Sequence, residues 1–307
     1  MDLRYSDVER DFREAGFDRA AWDQLAQAGV LGIALPESAG GMGMGYADAA
    51  VLLEQLGSHL ARGPIVATLL AAGVIDGAED GSATVATLDL RLQIPFVEHL
   101  EAATHLVLVD DSSLRVVPTS EVSAEPLPRP LDPLTPVWRV RDVDAVIAAA
   151  QTTGDADAAT SWSQRGAMLT AAIQIGTAKG ALDLAVRYAK ERTQFDRVIG
   201  SFQAIKHLLA ESLVRIDVAC AEVLVAALTV DDPAVGGLAA AVASAKVLAD
   251  EAAITNSRVG IQVHGGMGFT WEVLAHLFVK RAWLNEKAFG DGDHHALALA
   301  AEVGVPR

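Results

Sequence analysis

The sequence predicts a mostly α-helical protein with an N-terminal helical domain, a reduced β-rich middle region and a C-terminal four-helix bundle. Three observations lead there. Apolar residues recur at helical spacing through the second half: Met168, Ala171, Ala172, Ile175, Ala178, Leu182, Ala185 and Ala189 make one stripe, and Ile205, Leu208, Leu209, Leu213, Ile216 and Ala219 a second. From about Ala83 to Val146 the pattern shortens to alternating runs broken by proline. Hydrophobic residues make up 51% of the chain but aromatics only 5%, so Ala, Leu and Val must build a core of closely packed helices.

In chain order, residues from about Ser6 to Gly77 read as helical, within a domain spanning residues 1–82. An amphipathic helix over Asp18–Ala28 is closed by Gly29, and extended Ile33–Pro36 leads to the loop Ala39–Gly45, too glycine-rich for a regular element. No buried strand precedes that loop and no Lys-Ser/Thr pair ends it, so it does not read as a phosphate cradle. Helices follow at about Tyr46–Gly57 and Pro64–Ala72. In the middle region, 83–154, His105–Val109 and Leu114–Val117 form a hairpin across Asp110–Ser113. Pro126, Pro128, Pro130, Pro133 and Pro136 then forbid a long helix or a central strand. Asp155–Ser161 reads as a linker ending in helix caps. The bundle, 155–307, has helices at about Ser161–Thr193, Ser201–Leu228, Pro233–Gly260 and Leu274–Phe289, and a short tail from about Asp293. Lys179, Asp183, Asp250 and Glu251 read as solvated faces.

The 307 residues carry a formal net charge of −16, which argues against a nucleic-acid or anionic-membrane partner. Any bound phosphate must be met by local Arg and Lys. Cys220 is the single cysteine and sits on an apolar helix face, so it reads as a buried thiol with no internal disulfide. The charged N-terminus is unlike a signal sequence, and the apolar run Gly236–Ala249 is short, Ala-rich and interrupted by Lys246. A cytoplasmic protein is expected. Asp293 and His294 are too sparse for a metal site.

The stretch from Ala189 to His207 reads as a helix end, a turn and a new helix start, with Gly200 and Ser201 as stop and N-cap. It gathers Arg192, Arg197, Phe195 and Phe202 at one helical corner, a donor set suited to a phosphate. On spacing alone, the same arginines also read as surface partners of Glu191 and Asp196.

The segment from Tyr188 to His207 resembles the corresponding turn of the acyl-CoA dehydrogenases, flavoenzymes that desaturate acyl thioesters between Cα and Cβ. Gln262–Glu272 resembles a second family stretch and Gly29–Gly43 a third, in the family's order. The resemblance implies an FAD site in which one subunit's bundle reaches the adenosine diphosphate part of its neighbour's FAD. The matching positions are Arg192, Gln194 and Phe195 on the turn and Gln262, Gly265 and Gly266 on the later loop; the family's glycine after Phe195 is here Asp196. The family's catalytic base position falls at Phe289, and its minority alternative at Gly166; neither side chain can take a proton. Glu286, one helical turn before Phe289, is the candidate for a displaced base. Asp291, Asp293, His294 and His295 are nearby. The middle region is too short for the family's β-barrel and lacks its flavin motif.

The resemblance therefore implies the smaller, non-catalytic chain of an α2β2 heteromer. Its full-length acyl-CoA dehydrogenase partner would bind the acyl-CoA, of steroid side-chain or other bulky type, and share the FAD. An electron-transfer flavoprotein is the expected acceptor. Two other expectations stand beside it: a homomeric desaturase using Glu286, and a flavin-free scaffold subunit.

Overall fold

The computed structural model describes residues 16–92, 95–302 and 304, so the helical expectation for residues 6–15 lies outside the described residues. They fall into two compact units: the chain up to Ala49 with Arg62–Gly166, and Ala50–Ala61 with the chain from Ala167 onward.

In the first unit, helix α1 (Arg19–Gln27) starts where the Asp18 carboxylate accepts the Ala21 N–H at 3.0 Å, and ends at Gly29, whose φ of +75° suits a residue without a side chain. Trp22, 1% exposed, anchors it by donating Nε1–H to the Gly81 carbonyl at 3.1 Å. Helix α2 (Tyr46–Ser58) begins in this unit and passes into the second at Ala50, and α3 (Ile65–Ala71) returns to the first with nearly every residue buried.

The middle region forms two sheets. Strands β1 (Val85–Asp89), β3 (His105–Val109), β4 (Leu114–Pro118) and β7 (Gln151–Gly154) lie in the order β1-β3-β4-β7. Strands β2 (Phe96–Glu98), β5 (Ala124–Pro126) and β6 (Val137–Val140) form the second, in the order β2-β6-β5. The predicted hairpin is β3–β4, antiparallel from His105↔Pro118 to Val109↔Leu114. Its turn is tied by Asp110, whose carboxylate accepts from Ser112 and Ser113; the Ser112 bonds are the main reason its acid is held down to about 2. The prolines were expected to forbid a central strand, and the central strand β6 contains none of them. Pro136 stands just before it, and Pro126 lies on the edge strand β5, where a missing N–H costs no ladder bond. Helix α4 (Val143–Ala149) packs over this region through Val146, among buried Leu106, Leu108 and Val117.

Helix α5 (Ala156–Glu191) corrects the linker expectation: Asp155 accepts the Ala158 N–H at 3.0 Å, and the Ala-rich residues after it are already helical. After it come two-residue strands β8 (Thr193–Gln194) and β9 (Arg197–Val198), then helices α6 (Gln203–Asp231), α7 (Leu238–His264), α8 (Ala275–Lys287) and α9 (Gly292–Glu302). Ser201 is not the N-cap expected, because its hydroxyl donates to the Val198 carbonyl at 2.7 Å and α6 starts without a side-chain cap. α7 begins at Leu238 rather than Pro233, after the Gly236–Gly237 pair.

The second unit is built on close approach. A Cβ on Gly176 would stand 1.9 Å from the Glu54 carbonyl oxygen, and one on Gly180 would stand 2.5 Å from that of Ser58. Two further corrections fall here. Asp250, expected on a solvated face, is 3% exposed and pairs at 2.5 Å with Lys246, which is wholly buried. Lys179 reaches Glu54 at 2.6 Å. Among the described residues no helix is long and apolar enough to cross a membrane.

Candidate functional site

Two segments meet at one end of the second unit. The first is the α5–α6 corner. Arg192 N–H closes α5 onto the Tyr188 carbonyl, and Ile199 N–H returns to the Arg192 carbonyl, both at 2.8 Å. Between them Thr193 pairs with Val198 and Gln194 with Arg197, leaving Phe195 and Asp196 as a two-residue loop. Their φ values, +53° and +62°, are the left-handed pair that such a tight hairpin requires. Asparagine and glycine meet this need at least cost, and an aspartate tolerates it; an aromatic residue does not do so readily.

The result is an 86% exposed phenyl ring at the tip of the turn. Phe195 meets Phe202 only edge-on, with centroids 6.2 Å apart. Arg197 lies over the Phe202 ring, 4.0 Å from its centroid. Neither Arg192 nor Arg197 has an ion-pair partner among the described residues, so the expected surface pairing with Glu191 and Asp196 is not made. Gln194 is exposed and donates to the Thr193 carbonyl at 2.9 Å.

The second segment is the end of α7. Buried His264 has its Nδ1 2.7 Å from the Gly260 carbonyl oxygen and its ring stacked on Tyr188, with centroids 4.3 Å apart. The Tyr188 hydroxyl lies 3.8 Å from the Met267 sulfur. Ala185, Ala189 and Val263 bury together beneath Tyr188 and Ile199. This small core brings the two predicted segments to one place. Gly265 sits at φ +62°, ψ −140°, which penalises any side chain, and open space surrounds both it and Gly266. Gln262 is exposed beside them. Sequence reasoning missed the Tyr188–His264 stack. Its signal was a ring at the end of each segment, immediately before Gly265 and one helical turn before Arg192.

The predicted base positions lie elsewhere. Phe289 is half-buried at φ +57°, its carbonyl 3.0 Å from Nε2 of His295. His295 is 6% exposed, and burial lowers its pKa to about 4. The carboxylate of half-buried Glu286 lies 3.5 Å from the exposed Lys287 ammonium. Asp291 accepts the His294 N–H and the Lys287 ammonium, which together lower its acid. Gly166 is buried on α5 within the first unit. Among the described residues no group of His, Cys, Asp and Glu is arranged to hold a metal ion.

The profile of the acyl-CoA dehydrogenase C-terminal domain matches residues 157–304, and that of the N-terminal domain matches residues 4–79. The acyl-CoA dehydrogenase IpdE2 of Mycolicibacterium smegmatis is 33% identical over 302 residues, covering 94% of this chain and 90% of that protein. Among solved structures, a variant of the Tcur3481-Tcur3483 steroid acyl-CoA dehydrogenase superposes with a TM-score of 0.81 at 25% identity, over 98% of this chain and 92% of the other. A chain of the ChsE4-ChsE5 complex from Mycobacterium tuberculosis gives 0.80 at 23% identity, over 99% and 93%. With both family domains in order and the likeness running nearly end to end, the chain belongs to the acyl-CoA dehydrogenase family.

Proposed function

We propose that this chain is the smaller, non-catalytic subunit of a heteromeric acyl-CoA dehydrogenase, and that its bundle end completes the FAD site of a full-length partner. The observation that carries the reading is Phe195. An aromatic ring held 86% exposed on a left-handed backbone costs folding energy and gains no burial, so its use lies outside the chain. The surrounding groups fit the adenosine diphosphate end of FAD. Arg192, exposed and without an ion-pair partner, would hold the pyrophosphate, and Gln194 and Gln262 would donate to its oxygens. Gly265 and Gly266 leave space for close backbone approach, and Phe195 offers a face for stacking. FAD, when bound, supplies the hydride acceptor for desaturation. The partner supplies the base, since Phe289 and Gly166 cannot take a proton and the Glu286 carboxylate is engaged with Lys287.

The names of two structural relatives, a steroid acyl-CoA dehydrogenase and a complex of two named components, support a heteromeric assembly acting on a bulky steroid-derived acyl-CoA, for which α2β2 is the stoichiometry proposed. Electrons would leave the partner's flavin for an electron-transfer flavoprotein, in the cytoplasm. The test is co-expression with the full-length subunit and a flavin spectrum of the purified complex. One FAD per pair of unlike chains is expected. Arg192→Ala should weaken FAD binding by about 10-fold or more, as losing a charged hydrogen bond does, and Phe195→Ala should do so without lowering the melting temperature. Stoichiometric FAD and turnover in this chain alone would overturn the assignment, and a colourless complex would mark a scaffold instead.

A further inference from the structure

The first unit holds a cavity of about 220 Å³ that the nucleotide-binding end does not use. Leu31, Leu35, Leu69 and Ala72 give it apolar walls, and its polar groups come from Tyr46 on α2 and Arg165 on α5. The Arg165 guanidinium lies 5.1 Å from the Tyr46 ring centroid, with Nη1 3.5 Å from the phenol oxygen. That contact fixes the plane of the guanidinium but provides no counter-charge. Among the described residues Arg165 has no carboxylate partner, although Asp and Glu number 40 against 24 Lys and Arg. A planar fork of donors at an apolar wall, oriented by a ring and paired with no carboxylate of the described residues, is the half of a bidentate pair that a ligand completes.

We propose that this cavity binds a compact apolar carboxylate, with its acid group on Arg165 and its hydrocarbon part against Leu31, Leu35 and Leu69. Size sets the scale. An apolar cavity of roughly 150 Å³ takes benzene, so this one takes a chain or ring of about six carbons. Chemistry sets the class. A phosphate dianion needs several cations or a cradle of amides to replace its water, and this lining offers one cation and one phenol. A neutral hydrocarbon would cover the guanidinium without pairing it. The site lies in a different unit from Arg192 and Phe195, so it stands or falls separately from the FAD assignment.

The experiment titrates the full chain, alone and in its complex, with hexanoate, hexanamide and inorganic phosphate, followed by calorimetry. Hexanoate should bind, hexanamide about tenfold or more weakly, and phosphate should not displace hexanoate. Arg165→Gln, at a half-buried position, should cut hexanoate affinity about tenfold or more and leave hexanamide unchanged. Ala72→Leu, which fills the cavity and keeps the guanidinium, should remove both ligands. Melting curves report that each variant is folded, and Arg165→Gln decides alone if Ala72→Leu is not. Equal affinity for acid and amide, unchanged hexanoate binding in Arg165→Gln, displacement by phosphate, or no binding of hexanoate to the folded chain would each overturn the proposal.

Discussion

Single residues show where folding and function separate. Phe195 and Asp196 accept left-handed backbone to make a hairpin tip that buries little, whereas Phe289, also left-handed, is held by a hydrogen bond from a buried histidine. His295 supplies that contact: its Nε2–H donates to the Phe289 carbonyl at 3.0 Å, which fixes the neutral tautomer. Burial lowers its pKa from 6.5 to about 4, so the folded chain resists protonation that the unfolded chain accepts. The sign follows. A depressed histidine contributes stability that is whole above about pH 6.5 and is lost as pH falls toward 4, by up to about 3 kcal/mol. Denaturant midpoints measured across that window should fall more steeply for the native chain than for His295→Gln. Parallel slopes would mean that the ring is already charged in the fold.

At the scale of elements, the C-terminal end of α8 is fastened from below. The Lys246 ammonium donates to the carbonyls of Asn285 and Glu286, at 3.3 and 3.0 Å, and Gln174 donates to that of Ala282 at 2.9 Å. Asp250 joins Lys246 and Gln174, so α5, α7 and α8 share one buried polar knot. Burial raises the Asp250 acid to about 6 despite Lys246 and lowers the Lys246 ammonium despite Asp250, so desolvation opposes the pair on both sides. Asp250→Ala, which strands a buried ammonium, should therefore cost about 3 to 5 kcal/mol in urea unfolding. Lys246→Met with Asp250→Leu should cost much less. If the double variant is as unstable as the single, the knot contributes specific bonds beyond charge neutralisation. This knot was poorly legible in sequence. Helical spacing identified α7 but not which side Asp250 faced, and the exposed Glu251 beside it suggested solvent. The i, i+4 pair Lys246–Asp250 inside an apolar run was the available signal. The β3–β4 hairpin and α1 were legible because turn chemistry and a capping aspartate are local. The start of α5 was not, because Asp155 followed by alanines reads equally well as a cap and as a linker. The site segments were legible as words, and their meeting was not, because it depends on the stack of Tyr188 on His264, 76 residues apart in sequence.

For the whole molecule, the exposed side of α6 carries the same message as Phe195. Val214, Val218 and Val225 are 61%, 51% and 45% exposed, and Leu213 and Leu228 about half, while Ile216, Ala219 and Val223 bury on the opposite arc. A helix apolar on both arcs is a helix meant to be covered on both. α6 starts five residues after β9 ends, and its exposed apolar arc begins at Leu213 on the helix that leads away from the hairpin proposed to meet the partner's flavin. A partner chain of the same family that reaches the hairpin would extend along it. Val218→Glu places a charge in the middle of the arc without disturbing the buried one. It should leave the melting temperature of the isolated chain within about 0.5 kcal/mol equivalent of the native value, as exposed substitutions do, and should shift the co-expressed complex toward free subunits in sedimentation. An unchanged sedimentation profile with full FAD content would confine the contact to the bundle end and leave the α6 arc wet in the assembly.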